Sequence, residues 1–384
     1  MPVRSVPEYL RQFGEPAGYL DFARFGPVSA SVHEVLVRSA AQIRDRGWAA
    51  LEALDVAGEE AARTAAELLG CAPHEIAFVG STSHGMFAAA HAFAAAQAGS
   101  TVLVSRSDFP GAVYPWLRAA GNGGLTVRLL DGPVTADVVR AHLDERVRAV
   151  SVCAVDSATG FRAPLAAIKE VIGPGRVLVV DAVQALGAVE FAADAADILA
   201  SGGQKWLRSG WGAALLLVRD RVAGLLGPGL GGWSGVLDPI DAPDHPCPAR
   251  PGAVAHTLTN PDGPAVAALG AGLALVRDVG AARINARIGE VLGVLLDAAR
   301  AAGAEISGGP GAGGPDGGTG EGGGSGIARL RLPGADPQAV HDALTREGLS
   351  TTRRGDWIRL SPHASTDLHV AARLAGALKL AAAG

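Results

Sequence analysis

Two neighbouring stretches decide how the chain folds: Val177–Gly187, VLVVDAVQALG, and Ala196–Val218, ADILASGGQKWLRSGWGAALLLV. The first opens on an aliphatic run and turns polar at Asp181. An acid in that place is costly to bury unless a cation meets it. The second holds two more apolar runs, DILAS and AALLLV, joined by a glycine-rich connection that carries Lys205. Lysines usually keep their heads in water. One set between glycines and a tryptophan is either a strand-end lysine reaching solvent or an amine kept for chemistry. Lys205 follows Asp181 by 24 residues, room for one connection and the next strand. The spacing predicts that acid and lysine stand at the same end of neighbouring strands.

Working outward, TVLVS at 101–105, LTVRLL at 125–130 and VRAVSVCAV at 147–155 are equally apolar. Runs of this kind suit strands buried on both faces. Helical spacers at about 84–98, 133–146 and 161–172 separate several of them. The alternation predicts an α/β domain with a mostly parallel central sheet, whose ligands gather at the carboxyl ends of the strands. From 222 to 263 the chain turns loop-like. Helices are expected at about 264–278 and 281–302, then a low-complexity glycine-rich stretch at 308–326 that reads as a flexible insert. The remainder reads as a smaller α+β domain. The division expected is 1–28 as an N-terminal segment lining the site, 29–263 as the large domain and 264–384 as the small one.

The 384 residues are 48% hydrophobic, with a formal net charge of −5 and no basic stripe, so nucleic acid is not an expected partner. Cys71, Cys153 and Cys247 are odd in number and widely spaced, which argues against a disulfide framework or structural zinc and fits a reducing cytoplasm. The opening residues lack the apolar run of a signal peptide, and no uncharged apolar run suits a membrane span.

A lysine and a carboxylate so placed are what pyridoxal phosphate demands. The lysine amine condenses with the aldehyde, and the carboxylate pairs with the protonated ring nitrogen. The phosphate needs donors, and Ser81, Thr82 and Ser83 follow the β-like run IAFVG where a helix begins. They read equally well as an anion site or as a plain helix cap. Phe109, Tyr114 and Trp116 offer aromatic faces for the ring or for the core. Arg359, between apolar neighbours in DWIRLSPH, is either an edge-strand arginine or an anchor for a substrate carboxylate.

Together these residues resemble the class V aminotransferase superfamily of fold type I pyridoxal phosphate enzymes. Its members include cysteine desulfurases, selenocysteine lyases, kynureninases and isopenicillin N epimerase-like proteins. The matching pieces are YLDFARFG, GSTSHGM, SDFPGAVYPW, AVDSATG, VDAVQALG, SGGQKW and WIRLSPH, in that order. The resemblance implies that Lys205 forms the Schiff base and Asp181 partners the pyridinium. It places Gln184 near the ring hydroxyl and Ser81, Thr82 and Ser83 on the phosphate. Phe109 takes the stacking place, and Ser157 stands where many relatives carry asparagine. It further implies that Arg359 binds the substrate carboxylate, that Arg24 and Phe25 line the substrate side, and that the enzyme is a homodimer with GPGLGGWSG and TLTNPDG near the crossing. Three departures matter. Gln204 replaces the usual histidine before the lysine, and Gly202 stands where some relatives have a phosphate-binding serine, for which Ser201 is the substitute expected. No cysteine occupies LTREGLSTTRRGDWIRLS, where desulfurases carry their nucleophile. The expected reaction is therefore of lyase type, such as C–S cleavage of a cysteine-derived substrate, with a keto-acid-dependent aminotransferase as the alternative. A remoter alternative is a nicotinamide-dependent oxidoreductase, from the glycines of GLGGWSG at 229–235.

Overall fold

The computed structural model describes residues 5–240, 246–309 and 324–383. Most of the expected glycine-rich insert, 310–323, lies outside the described residues. The apolar runs form a seven-stranded sheet. Its strands are β1 (Ile76–Val79), β2 (Ser100–Ser105), β3 (Leu125–Leu130), β4 (Val147–Cys153), β5 (Val177–Asp181), β6 (Ile198–Gly202) and β7 (Ala214–Val218), in the order β1-β7-β6-β5-β4-β2-β3. Pairing is parallel from β3 through β6, and β7 runs antiparallel to both its neighbours. The connection that carries Lys205 is thus a reversal at the carboxyl end of β6.

Strand alternation sends successive side chains to opposite faces. Val177, Val179, Ile198 and Ala200 join one core cluster, Leu178, Val180 and Leu199 the other. Among the helices, α1 (Val6–Leu10) starts the N-terminal segment, and α2 (Ala30–Arg46) and α3 (Leu51–Leu69) follow. The alanine-rich α4 (Thr82–Ala96) and α5 (Pro110–Gly121) cover the first face. α6 (Ala136–His142), α7 (Leu165–Ile172), α3 and α8 (Gly263–Val279) cover the second.

The C-terminal unit pairs an antiparallel sheet with α9 (Ala281–Ala301), α10 (Pro337–Arg346) and α11 (Val370–Ala383). Its strands are β8 (Glu305–Gly308), β9 (Ala328–Arg331), β10 (Thr352–Arg354) and β11 (Trp357–Leu360), in the order β10-β11-β9-β8. Leu20 is buried in this core, and Tyr19 and Asp21 bridge to Ser350 and Ser361, so the N-terminal segment is stitched to the C-terminal unit. The two cores meet along α8 and α9. Leu269, Leu273 and Val276 of α8, and Ile284 and Ile288 of α9, belong to the large core, and the small core begins at Val291. An apolar helix at such a border reads the same in sequence whichever core it joins.

The GLGGWSG segment keeps to the loop expected over 222–263. It is loop with one short 3-10 turn at Trp233–Gly235, packed against the backbone of Ala255 and Leu258. A dinucleotide fingerprint needs a strand before it and a helix after it, so the oxidoreductase alternative falls. Among the described residues no single helix is long and apolar enough to cross a membrane.

Candidate active site

Asp181 ends β5 in register with Ala200 of β6, and Lys205 follows three residues beyond the end of β6. Asp181 is 4% exposed, and its Oδ1 accepts the Val183 N–H at 3.0 Å. Burial pushes its carboxyl up, against the pull of that hydrogen bond and of the Lys205 charge. Burial pushes the Lys205 amine down, opposed by Asp181 and reinforced by Arg359. The amine therefore gives up its proton more readily than an ordinary lysine. Nζ stands 5.5 Å from the centroid of the Phe109 ring. Between these groups opens a cavity of about 330 Å³, lined by Lys205, Phe109, Gln184, Ser157, Arg24 and Arg359 among others.

Ser81 caps α4, accepting the His84 N–H at 3.1 Å, and Ser81 and Ser83 are exposed at the helix N-terminus. Buried Thr82 accepts the Gly202 N–H at 2.8 Å. A Cβ on Gly202 would collide with the Gln204 amide oxygen and come within 2.9 Å of Thr82 Oγ1. Both are ends of side chains, so the close approach records how tightly Gly202, Thr82 and Gln204 crowd together. The same contact brings Gln204 into the hydroxyl group around Thr82, a placement its position beside the lysine did not reveal. Ser201 does not join them. Its parity is that of Leu199, so alternation turns it to the face away from α4, where its buried Oγ has no hydrogen-bond partner.

The other expected residues divide. Gln184 lines the cavity, but its amide donates to Ala23 O at 2.9 Å and accepts from Trp206 Nε1 at 2.8 Å, tying the N-terminal segment to the lysine connection. Arg359 is 3% exposed. Its guanidinium donates to Asp21 Oδ1 and Ser157 O, each at 2.8 Å, while Nε has no partner. Arg24 lines the cavity. Phe25 is not in that lining; its ring is stacked on Trp211 at 4.2 Å.

Sequence reasoning passed over Asp108 and Arg354, and left Arg208 open between shaping the pocket and a structural role. Asp108 accepts the Cys153 N–H at 2.8 Å and shares a second cavity with Asp156 and Arg329. Burial, with Asp156 and Asp181 adding like charge, pushes its carboxyl up to about 7, against the Cys153 bond. A carboxyl raised in the folded state stabilises fully below its unfolded pKa and loses that contribution as pH rises through about 7. Asp108→Asn keeps an oxygen for the Cys153 N–H and removes the charge. It is expected to gain melting temperature relative to the parent between pH 5 and pH 8. Thermal unfolding at both values checks this, and a pH-independent difference would refute it.

The fit to pyridoxal phosphate rests on these features. A helix N-terminus with three hydroxyls, and a Gly202 N–H already bonded to Thr82 beside them, suits a phosphate. A buried acid near a half-buried lysine, with an aromatic face over the amine, suits the ring. Residues 25–301 match the family model for aminotransferase class-V. A cysteine desulfurase of Klebsiella pneumoniae is 28% identical over 239 residues, covering 58% of this chain and 58% of that protein. A kynureninase of Deinococcus radiodurans is 34% identical over 220 residues, covering 56% and 52%. The chain thus spans little more than half the length of these curated relatives. The solved complex of the cystine C–S lyase C-DES with cysteine persulfide superposes with a TM-score of 0.81 at 19% identity, covering 94% of this chain and 97% of that one. That agreement bears on the fold and extends it over both units. With the match to most of its length and a site shaped for the cofactor, the chain belongs to the class-V aminotransferase family and is a pyridoxal phosphate-dependent enzyme of fold type I.

Proposed function

We propose that the protein is a lyase acting at Cα and Cβ of an amino acid, cleaving the C–S bond of a cysteine-derived substrate. One observation carries the reading: the half-buried Lys205 opens on a cavity whose lining holds no cysteine among the described residues. Cys153 is buried behind it, and burial with nearby Asp108 and Asp181 pushes its thiol well up. A thiol so held is a poor sulfur acceptor, so a persulfide-forming desulfurase reaction is not supported. The names of C-DES and the desulfurase relative agree with C–S chemistry.

Bound pyridoxal phosphate supplies an electron sink for the charge left when a bond at Cα breaks. Ser81, Thr82, Ser83 and the Gln204 amide would hold its phosphate with the N-terminus of α4, Asp181 its ring nitrogen, and Phe109 its face. Arg359 would fix the substrate carboxylate with the N–H groups that Asp21 and Ser157 leave free. Lys205 would take the Cα proton, aided by the burial that lowers its proton affinity. Ser157 acts through its carbonyl, which holds the guanidinium in place.

A homodimer is part of the proposal. Trp233 and Leu258 are 49% and 43% exposed, on two loops that bond to each other through Trp233 Nε1 and Thr259 Oγ1 at 3.2 Å. The odd, widely spaced cysteines favour a reducing cytoplasm. The reaction is tested by incubating the holoenzyme with cysteine conjugates and plain amino acids without any keto acid. Pyruvate and ammonia are expected by mass spectrometry. A strict keto-acid requirement would instead establish an aminotransferase.

A further inference from the structure

We infer that the substrate carries a second acidic group on its side chain, received by Arg24 and Arg354; this rests on the amino-acid reading above. β10 pairs with β11 so that Thr352 faces Arg359 and Arg354 faces Trp357. Alternation then puts Thr352, Arg354 and Arg359 on one face of the hairpin, and all three line the cavity. Arg24 enters the same wall from the N-terminal segment.

The cavity lining holds four cationic side chains, Arg24, Lys205, Arg354 and Arg359, and no acid among the described residues. Two of the four have counter-charges nearby. Arg359 is paired with buried Asp21 at 2.8 Å, and Lys205 feels Asp181. The side chains of Arg24 and Arg354 have no ion pair or hydrogen bond among the described residues. Their charges nonetheless reach the site, since both lower the proton affinity of Arg359 and Arg354 also lowers that of Lys205. The α-carboxylate is taken by Arg359 and the cofactor phosphate by the N-terminus of α4. Two guanidinium groups are left over. They draw anions into the cavity, and their flat forks suit a carboxylate or sulfinate at the far end of a side chain. Both are exposed where the cavity opens, so a neutral side chain would leave them to solvent.

The test compares two conjugates of equal size on the holoenzyme, S-carboxymethylcysteine and its neutral amide, S-carbamoylmethylcysteine. The acid is expected to exceed the amide in kcat/KM by about ten- to a hundredfold, the range of a charged hydrogen bond or two. Arg24→Gln with Arg354→Gln should bring that ratio close to one. Equal rates in the parent, or an unchanged ratio in the double variant, overturn the inference. So does a double variant that releases cofactor, since the arginines would then serve the phosphate. If neither conjugate yields pyruvate, the lyase reading fails separately. Calorimetric binding of the same pair then decides this inference on its own, acid tighter than amide supporting it and equal affinity defeating it.

Discussion

Lys205→Ala is expected to abolish turnover, with kcat falling by at least about 10,000-fold, the upper range for a lost general base, because the covalent hold on the cofactor goes with it. The visible absorbance from the lysine-linked cofactor should vanish in the same variant. Folding should not suffer. The Lys205 side chain makes no hydrogen bond among the described residues, and its loop is held by main-chain bonds, Gly26 N–H to Gln204 O at 2.8 Å and Arg208 N–H to Lys205 O at 3.1 Å. An unchanged melting temperature would therefore separate lost chemistry from lost structure. Lys205→Arg sharpens the point. It keeps the positive charge beside Asp181 and under Phe109 but supplies no nucleophilic amine, so it should be as inactive as alanine. Turnover within tenfold of the parent in either variant would remove Lys205 from the centre of the mechanism.

The sequence made the strands and the Asp181–Lys205 pair legible for one physical reason. A strand buried on both faces must be apolar throughout, so a polar residue at its end stands out, and the interval to the next such residue measures one crossing of the sheet. Side-chain direction was less legible. Ser201 is a hydroxyl near the phosphate in sequence, yet one step of strand parity carries it to the wrong face. Gln204 looked like a substitution of uncertain meaning until the approach of Gly202 to Thr82 placed it. Asp108, Arg208 and Arg354 act through partners far away in the chain, such as Cys153, Glu15 and the cavity wall. No local pattern records such meetings. The same holds for α8, whose apolar surface does not say which core it will enter.

Arg208 carries the largest stability effect expected. It is 1% exposed and sits at a φ of 55°, a conformation that side-chain-bearing residues hold only under constraint. Its guanidinium pairs with Glu15 at 2.7 Å and donates to Pro27 O, Ser365 Oγ and His363 Nδ1 at 2.6, 3.0 and 3.2 Å, 3.9 Å over the Phe13 ring. Burial and the Arg208 charge push His363 well down, so its neutral ring accepts at Nδ1 and donates from Nε2 to Tyr9. Burial alone would raise the Glu15 carboxyl, but the Arg208 hydrogen bond and charge outweigh it and hold it below its ordinary value. Arg208→Met would strand that carboxylate in the interior, an expected loss of about 3–5 kcal/mol at pH 7. Glu15→Gln in the same chain should restore part of it, which a double-mutant cycle in denaturant measures. The sign with pH follows. In the parent, the lowered Glu15 contributes stability above its unfolded pKa and loses it as pH falls through the folded value. In Arg208→Met the carboxyl is raised by burial and takes a proton early, relieving the stranded charge. The gap between parent and variant should therefore narrow from pH 7 to pH 4. A gap that stays constant, or that Glu15→Gln does not reduce, would mean that packing rather than charge holds the three segments together. The distinction matters for the chemistry. Arg208 joins the N-terminal segment, the lysine connection and the C-terminal unit at one point, and the first and last of these bring Arg24 and Arg359 to the amine of Lys205.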